Sequence, residues 1–176
     1  MSLNATEKPR EEPAVTAPVV EASIIVPFWN ESGNLLPLTD ALRTALDQQK
    51  RTWEVLLVND GSTDGSVGEA EGISALDARF RLVSLQRHLG KSAALAAGRE
   101  VAQGDAIVTI DADLQDPPDM VPAFLDKLDE GVDVVAAVRR KRREPLYRRA
   151  ASAIFNGTTK RVTGVPLRDM NAGLKA

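Results

Sequence analysis

Five short apolar runs, most of them rich in β-branched residues, recur along this chain, and each of the first four is followed by residues at helical spacing. Ile24-Ile25-Val26 precedes Leu35, Leu38, Leu42 and Leu46. Val55-Leu56-Leu57-Val58 precedes a weaker helical pattern over 64–77 that contains Gly68 and Gly72. Leu82-Val83-Ser84-Leu85 precedes an Ala-rich helix over 91–102, and Ile107-Val108-Thr109-Ile110 precedes a helix opening at Pro117-Pro118 and ending near Gly131. Residues 132–138 form the fifth run. Strands that are apolar on both faces and alternate with helices imply a parallel sheet covered on both sides. The pattern predicts an α/β sandwich of three layers around a mostly parallel sheet. With 176 residues the chain suffices for one such domain. Residues 1–22 hold Pro9, Pro13 and Pro18 among Glu and Ala with no apolar period, which predicts a disordered leader ahead of a domain over 23–176.

Composition removes several kinds of chemistry. The chain has no cysteine, which excludes disulfides, thiolate zinc sites and a cysteine nucleophile. His88 is its one histidine, so any metal site must rely on oxygen ligands. No apolar stretch approaches the roughly 20 residues of a membrane-spanning helix. Residues 1–20 carry Glu7, Lys8, Arg10, Glu11 and Glu12 where a secretory signal would have an apolar core. A protein that is soluble, or at most peripheral to a membrane, is expected.

Charge is divided unevenly. Residues 1–138 carry 11 basic against 23 acidic side chains, whereas 139–176 carry 11 basic against two acidic, Glu144 and Asp169. Seven bases fall within 139–149, and an apolar stripe of Leu146, Ala150, Ile154 and Phe155 runs beside Arg148 and Ser152. A basic amphipathic helix over 139–161 suits an anionic membrane surface or a lipid phosphate. The acidic remainder and 4% aromatic content argue against nucleic acid.

In parallel sheets ligands collect beyond the carboxyl ends of the strands. There the sequence places acids after the second and fourth strands and bases after the third and fifth. Asp111-Ala112-Asp113-Leu114-Gln115 could converge on a hard divalent cation, or be a solvated turn before Pro117. It is not an EF-hand loop, whose sixth and twelfth positions here are Asp116 and Pro122. Asn59-Asp60-Gly61-Ser62-Thr63-Asp64-Gly65 is composed of turn residues, yet puts Asp60 where it could accept hydrogen bonds from a base or ribose. Gly90-Lys91-Ser92 is not a phosphate loop, because the required earlier glycine is Leu85. Lys91 at a helix start can still attract an anion, and His88 reads equally well as an exposed loop residue.

In this order and spacing, these segments resemble family 2 glycosyltransferases of the GT-A fold. The nearest likeness is to the dolichol-phosphate mannose synthase and bacterial polyprenyl-phosphate glycosyltransferase group. The resemblance rests on Val26-Pro27-Phe28-Trp29-Asn30-Glu31, on the Val58–Gly65 segment, on Gly90-Lys91-Ser92-Ala93-Ala94-Leu95, on Asp111-Ala112-Asp113-Leu114-Gln115-Asp116-Pro117-Pro118 and on Asp169-Met170-Asn171-Ala172-Gly173. It implies a nucleotide-sugar pocket lined by Pro27, Trp29 and Glu31, with Val58 and Asp60 on the base and ribose. It further implies Lys91, Asp111 and Ala112 at the donor, and Mg²⁺ or Mn²⁺ held by Asp113 and Gln115 against the diphosphate. Arg139, Arg148 and Ser152 would receive an acceptor phosphate, Arg139 also touching the donor, while Asp169 lies in the acceptor-side motif and joins Asp111 and Asp113 as catalytic. Trp29 and His88 depart from the tyrosine and asparagine common at those positions.

The implied reaction moves a sugar, with inversion, from a GDP- or UDP-linked donor to a polyprenyl or dolichyl phosphate at the cytoplasmic face of the membrane. The enzyme would be cytoplasmic and peripheral at that inner face. Two alternatives stand beside it: a transferase with a polysaccharide or other soluble acceptor, and a nucleotide-sugar-binding module without turnover. Family members continue beyond the acceptor motif, so the resemblance implies a C-terminally incomplete domain.

Overall fold

The computed structural model describes residues 19–137 and 174–176. Four strands, β1 (Ala22–Phe28), β2 (Trp53–Asn59), β3 (Phe80–Ser84) and β4 (Ala106–Thr109), form one parallel sheet in the order β3-β2-β1-β4. They alternate with helices α1 (Leu35–Leu46), α2 (Ser66–Leu76), α3 (Lys91–Val101) and α4 (Val121–Asp129), the last preceded by a 3₁₀ turn at Pro118–Met120. No helix among the described residues is long and apolar enough to cross a membrane.

Strand alternation sorts the core into two layers. Ile24, Val26 and Phe28 of β1 and Val55 and Leu57 of β2 pack with Leu35, Leu38, Leu42 and Leu46 of α1 and with residues of α2 and α4. Ile25, Leu56 and Val58 face the other way, onto Ala94 of α3. Gly98 lets α3 settle there, because a Cβ at that position would lie 2.6 Å from Ile25 Cγ2 and 3.0 Å from Val58 Cγ2. The three layers match the expected sandwich.

The first two strands are longer than their apolar runs, and the extension of each carries one member of a buried polar pair. Ser23 and Glu54 stand opposite each other in register. The Ser23 hydroxyl donates to Glu54 Oε1 at 2.7 Å, the Gln103 backbone N–H donates to the same oxygen at 2.8 Å, and Arg81 holds Oε2 at 2.6 Å. Burial pushes the Glu54 carboxyl up, but these donors outweigh it and leave its pKa below the ordinary glutamate value.

Two expectations need correction. The leader does not extend to residue 22: Ala22 is fully buried in β1, and Glu21 donates its N–H to the Thr52 carbonyl at 3.0 Å. Nor do the described residues of the fifth run form a regular strand of the sheet. They make only an isolated bridge at Ala136, and residues 174–176 lie antiparallel between them and β4. Thr109 and Lys175 exchange backbone bonds of 2.7 and 3.1 Å, while Val135 and Ala176 exchange bonds of 2.8 and 2.9 Å. Leu174, fully buried, closes that edge of the core. Local apolarity cannot reveal such an insertion from the far end of the chain.

Between α2 and β3, Asp77 ties two elements together. Its carboxylate accepts from Arg79 Nε at 3.0 Å and Nη2 at 2.8 Å, and from Arg43 Nε of α1 at 3.2 Å. Chiefly through Arg79, and against the opposing effect of burial, its pKa falls to about 2. A depressed folded-state pKa gives stability that is present above the unfolded value of about 4 and is lost as pH falls toward about 2. Asp77→Asn is therefore expected to lower stability by about 1–2 kcal/mol near neutral pH. Denaturant titrations should show the gap to the parent chain closing between about pH 4 and pH 2.

Candidate functional site

The strand order places β1 in the middle, with the chain running outward on one side to β2 and β3 and on the other to β4. The crevice beyond the carboxyl ends at such a reversal is where open α/β sheets bind ligands. A cleft of about 270 Å³ lies there, lined by Pro27, Phe28, Trp29, Glu31, Asp60, His88, Lys91, Asp111, Ala112 and Asp113.

The loop after β1 carries Trp29 and Glu31, and side chains of the β2–α2 segment hold it by its backbone. Asn30, Glu31 and Ser32 donate their N–H groups to Ser62 Oγ, Ser66 Oγ and Asp64 Oδ2 at 3.0, 2.8 and 3.1 Å. Gly33 and Leu36 donate theirs to the two oxygens of Glu69 at 2.8 and 2.7 Å, so a carboxylate of α2 satisfies the start of α1. In return Asn30 Oδ1 accepts from the Thr63 N–H at 2.8 Å. Asn30 itself has φ of +55°, a conformation asparagine tolerates. The Asp64 carboxyl is held below the usual aspartate range by its hydrogen bonds from Ser66.

Asp60, at the end of β2, is buried and serves the next loop. Its Oδ1 accepts the Leu89 N–H at 2.8 Å and its Oδ2 the Gly90 N–H at 2.8 Å. Gly61 makes this closure possible. Its φ is +69°, and a Cβ there would sit 2.4 Å from the backbone of Arg87 and His88. The loop so held presents two side chains to the cleft. His88 stacks on Trp29 with ring centroids 4.3 Å apart and places Nδ1 2.8 Å from Asp60 Oδ2. Lys91, opening α3, pairs with Asp111 through Nζ and Oδ1.

On the β4 side Ala112 is buried while Asp113 is exposed to the cleft. Leu114 has φ of +59°, unusual for a non-glycine residue, and turns the chain so that the Gln115 N–H donates to Asp113 Oδ1 at 3.1 Å.

The cleft thus unites Pro27, Trp29, Glu31, Asp60, Lys91, Asp111, Ala112 and Asp113, all expected from sequence. Two expected residues fall elsewhere. Val58 does not line the cleft, because strand alternation turns its side chain into the core beneath α3. Gln115 is exposed and stands outside the lining, beyond the turn at Leu114. Arg139, Arg148, Ser152, Asp169 and the segment 139–161 lie outside the described residues. Phe28 and His88 are lining residues that the motif reading did not assign. The supporting roles of Ser62, Ser66 and Glu69 were equally unassigned, although the density of hydroxyl and carboxyl groups over 59–69 was their signal.

Among the described residues no three His, Asp or Glu side chains cluster closely enough to cage a metal ion. Asp111 and Asp113 nevertheless supply hard oxygen donors to one cleft. One or two carboxylates completed by ligand phosphates are the usual donor set for Mg²⁺, so the residues fit a cation bound together with a diphosphate.

Comparisons with known proteins bear on the family and the fold. The Glycosyl transferase family 2 profile matches residues 23–172. The undecaprenyl-phosphate 4-deoxy-4-formamido-L-arabinose transferase of Salmonella choleraesuis (strain SC-B67) is 38% identical over 161 residues, covering 91% of this chain and 49% of that protein. This chain therefore spans about half the length of the curated relatives it matches. The mannosyltransferase PcManGT of Pyrobaculum calidifontis, solved with GDP-Man and Mn²⁺, superposes with a TM-score of 0.59 at 27% identity, over 68% of this chain and 36% of that one. Glucosyl-3-phosphoglycerate synthase of Mycobacterium tuberculosis, at 22% identity and a TM-score of 0.62 over 89% of this chain and 56% of that one, shares the fold.

If Asp60 holds the loop, Asp60→Asn should release it. Hydrogen exchange at the Leu89 and Gly90 amides is expected to accelerate, with a stability loss of about 1–3 kcal/mol from unsatisfied donors. Unchanged protection at both amides would show that something else holds the loop.

Proposed function

This chain belongs to glycosyl transferase family 2, and on that premise we propose that its cleft binds a nucleotide-sugar and transfers the sugar to a polyprenyl phosphate. The observation that carries this reading is the convergence, at the reversal of strand order, of an aromatic wall, a cation and three unburied carboxylates, Glu31, Asp111 and Asp113, from segments far apart in sequence. The relatives named as undecaprenyl-phosphate transferases support the acceptor class. The complex of PcManGT with GDP-Man and Mn²⁺ supports the donor class and a divalent cation.

In this reading Trp29, Pro27 and Asp60 receive the nucleoside, and Glu31 lies along the same wall. Asp111 and Ala112 border the sugar and ribose. Lys91, held beside Asp111, neutralises charge as the diphosphate departs. Asp113 would hold Mg²⁺ or Mn²⁺, with Gln115 joining only if the turn at Leu114 rearranges. Such an ion, when bound, supplies Lewis-acid stabilisation of diphosphate oxygens. An acceptor phosphate oxygen attacks the anomeric carbon from the face opposite the leaving group. The new C–O bond forms as the bond to the nucleoside diphosphate breaks, and that electron pair leaves with the diphosphate, inverting the configuration. The phosphate is already anionic at neutral pH, so no strong general base is required. Arg139, Arg148 and Ser152 would receive the acceptor phosphate and Asp169 would complete the acceptor side. The basic segment 139–161 would rest on an anionic membrane at its cytoplasmic face.

Thermal unfolding with UDP-glucose or GDP-mannose, each with and without Mn²⁺, tests the donor reading. One of the two is expected to raise the midpoint by roughly 5 °C at saturating ligand, only when metal is present. Asp113→Ala should abolish that shift while leaving the unliganded midpoint within about 1 °C of the parent, as expected for an exposed position. Failure of every nucleotide-sugar to shift the folded chain would overturn the proposal.

A further inference from the structure

Resting on the donor reading above, we propose that Lys91 withholds Asp111 from a divalent cation until the donor's diphosphate draws its ammonium away, so that cation and nucleotide-sugar enter the cleft as a coupled pair. The argument begins with how the two side chains are mounted. Asp111 stands between Ala112, which is buried, and Ile110, which is fully buried and donates its N–H to the Ile25 carbonyl at 3.1 Å. Lys91 opens α3 directly after Gly90, whose N–H is bonded to Asp60 Oδ2 at 2.8 Å. Both backbones are therefore fixed where Lys91 Nζ donates to Asp111 Oδ1. What can move is the four-carbon stem of the lysine, whose side chain is 51% exposed against 26% for Asp111.

The rest of the lining leaves this ammonium a decisive position. Asp60 is engaged by the Leu89 and Gly90 amides and by His88, and Glu31 accepts from Asn34 at 2.7 Å. Asp111 and the exposed Asp113 are the carboxylates left to face a cation. Lys91 is the one ammonium among the lining residues, and it is set on the first of these two. An ammonium is a compact point charge with three donors, so it suits a phosphate oxygen as well as a carboxylate oxygen. A half-exposed ion pair contributes little stability, so exchanging one partner for the other costs little.

Neither half of the exchange is favoured alone. A cation approaching Asp113 meets the Lys91 charge nearby and finds Asp111 already neutralised. A diphosphate that takes the ammonium leaves the charges of Asp111 and Asp113 uncompensated in the same cleft. Arriving together, the two ligands remove both penalties, because the ammonium turns to phosphate while the carboxylates are left to the cation. Such coupling is reciprocal: the factor by which donor tightens cation equals the factor by which cation tightens donor. Repulsion between one ammonium and a divalent ion a few ångströms away, even at the dielectric constant of water, corresponds to about tenfold in affinity.

The test uses the full 176-residue chain, with free Mn²⁺ followed by its electron paramagnetic resonance signal and with UDP-glucose and GDP-mannose as donor probes. Without nucleotide, Lys91→Met and Lys91→Gln should each bind Mn²⁺ about tenfold more tightly than the parent, whereas the charge-retaining Lys91→Arg should stay within about twofold. In an Asp111→Asn background the gain from Lys91→Met should shrink below about threefold, because the ammonium is no longer held in the cleft. For whichever probe binds, the factor by which saturating Mn²⁺ tightens it should be about tenfold smaller in Lys91→Met than in the parent. Equal Mn²⁺ affinity in the parent and both neutral variants, an undiminished gain in the Asp111→Asn background, or unchanged coupling in Lys91→Met would overturn the inference while leaving the donor reading intact. Binding of neither nucleotide-sugar to the parent would instead overturn the donor reading, and this inference with it.

Discussion

A parallel sheet buried on both faces leaves its amide groups at the carboxyl edge without strand partners, and in this chain side chains take them up. The end of β2 does most of this work. Ser62, Asp64, Ser66 and Glu69 accept N–H groups from the loop after β1, and Asp60 accepts two from the loop before α3. Two of the four loops that build the cleft are thus fixed to a third through short acceptors rather than through packing. Backbone amides so held set the positions of Trp29, Glu31, His88 and Lys91 without any of those side chains bearing the load. Polar satisfaction at the sheet edge and preorganisation of the site are the same set of bonds.

The layered fold was legible because its signal is local. Runs such as Val55-Leu56-Leu57-Val58 can be buried on both faces only in a covered sheet, and Leu35, Leu38, Leu42 and Leu46 mark a single helix face. What escaped depended on pairs. Ser23 and Glu54 look like strand ends in sequence, yet each makes the other's burial tolerable. The antiparallel segment 174–176 was invisible for a stronger reason: its register is set by Thr109 and Val135, far away along the chain.

The site was read unevenly for a related reason. Strand ends followed by Asp60, Asp111 and Asp113 announce chemistry by position, and all three reach the cleft. Val58 shows where position misleads, since one step along a strand reverses the face and sends its side chain under α3. Asp60 shows a subtler limit. Its location was legible, but three protein donors already engage its carboxylate, which leaves about one of its roughly four acceptor positions for a ligand. Its first task is to hold the loop that bears His88, a contact between β2 and the α3 entry that no local pattern encodes.

Charge explains why the cleft takes this form. Within the lining, Asp111 is paired with Lys91 and Asp60 is surrounded by donors, while Glu31 accepts from Asn34 at 2.7 Å. Asp113 is different: exposed, with a single backbone N–H on Oδ1, it retains most of its acceptor capacity. A diphosphate entering such a lining gains little from one ammonium and is opposed by the carboxylates unless positive charge arrives with it. Two sources are consistent with the chain. A divalent cation can be shared between Asp113 and phosphate oxygens, and the 11 basic residues of 139–176 oppose the 23 acidic residues of 1–138. On the proposed reading, the acid-lined cleft and the basic residues of 139–176 are complementary parts of one electrostatic design, in which the acids would favour metal and the bases would favour phosphate.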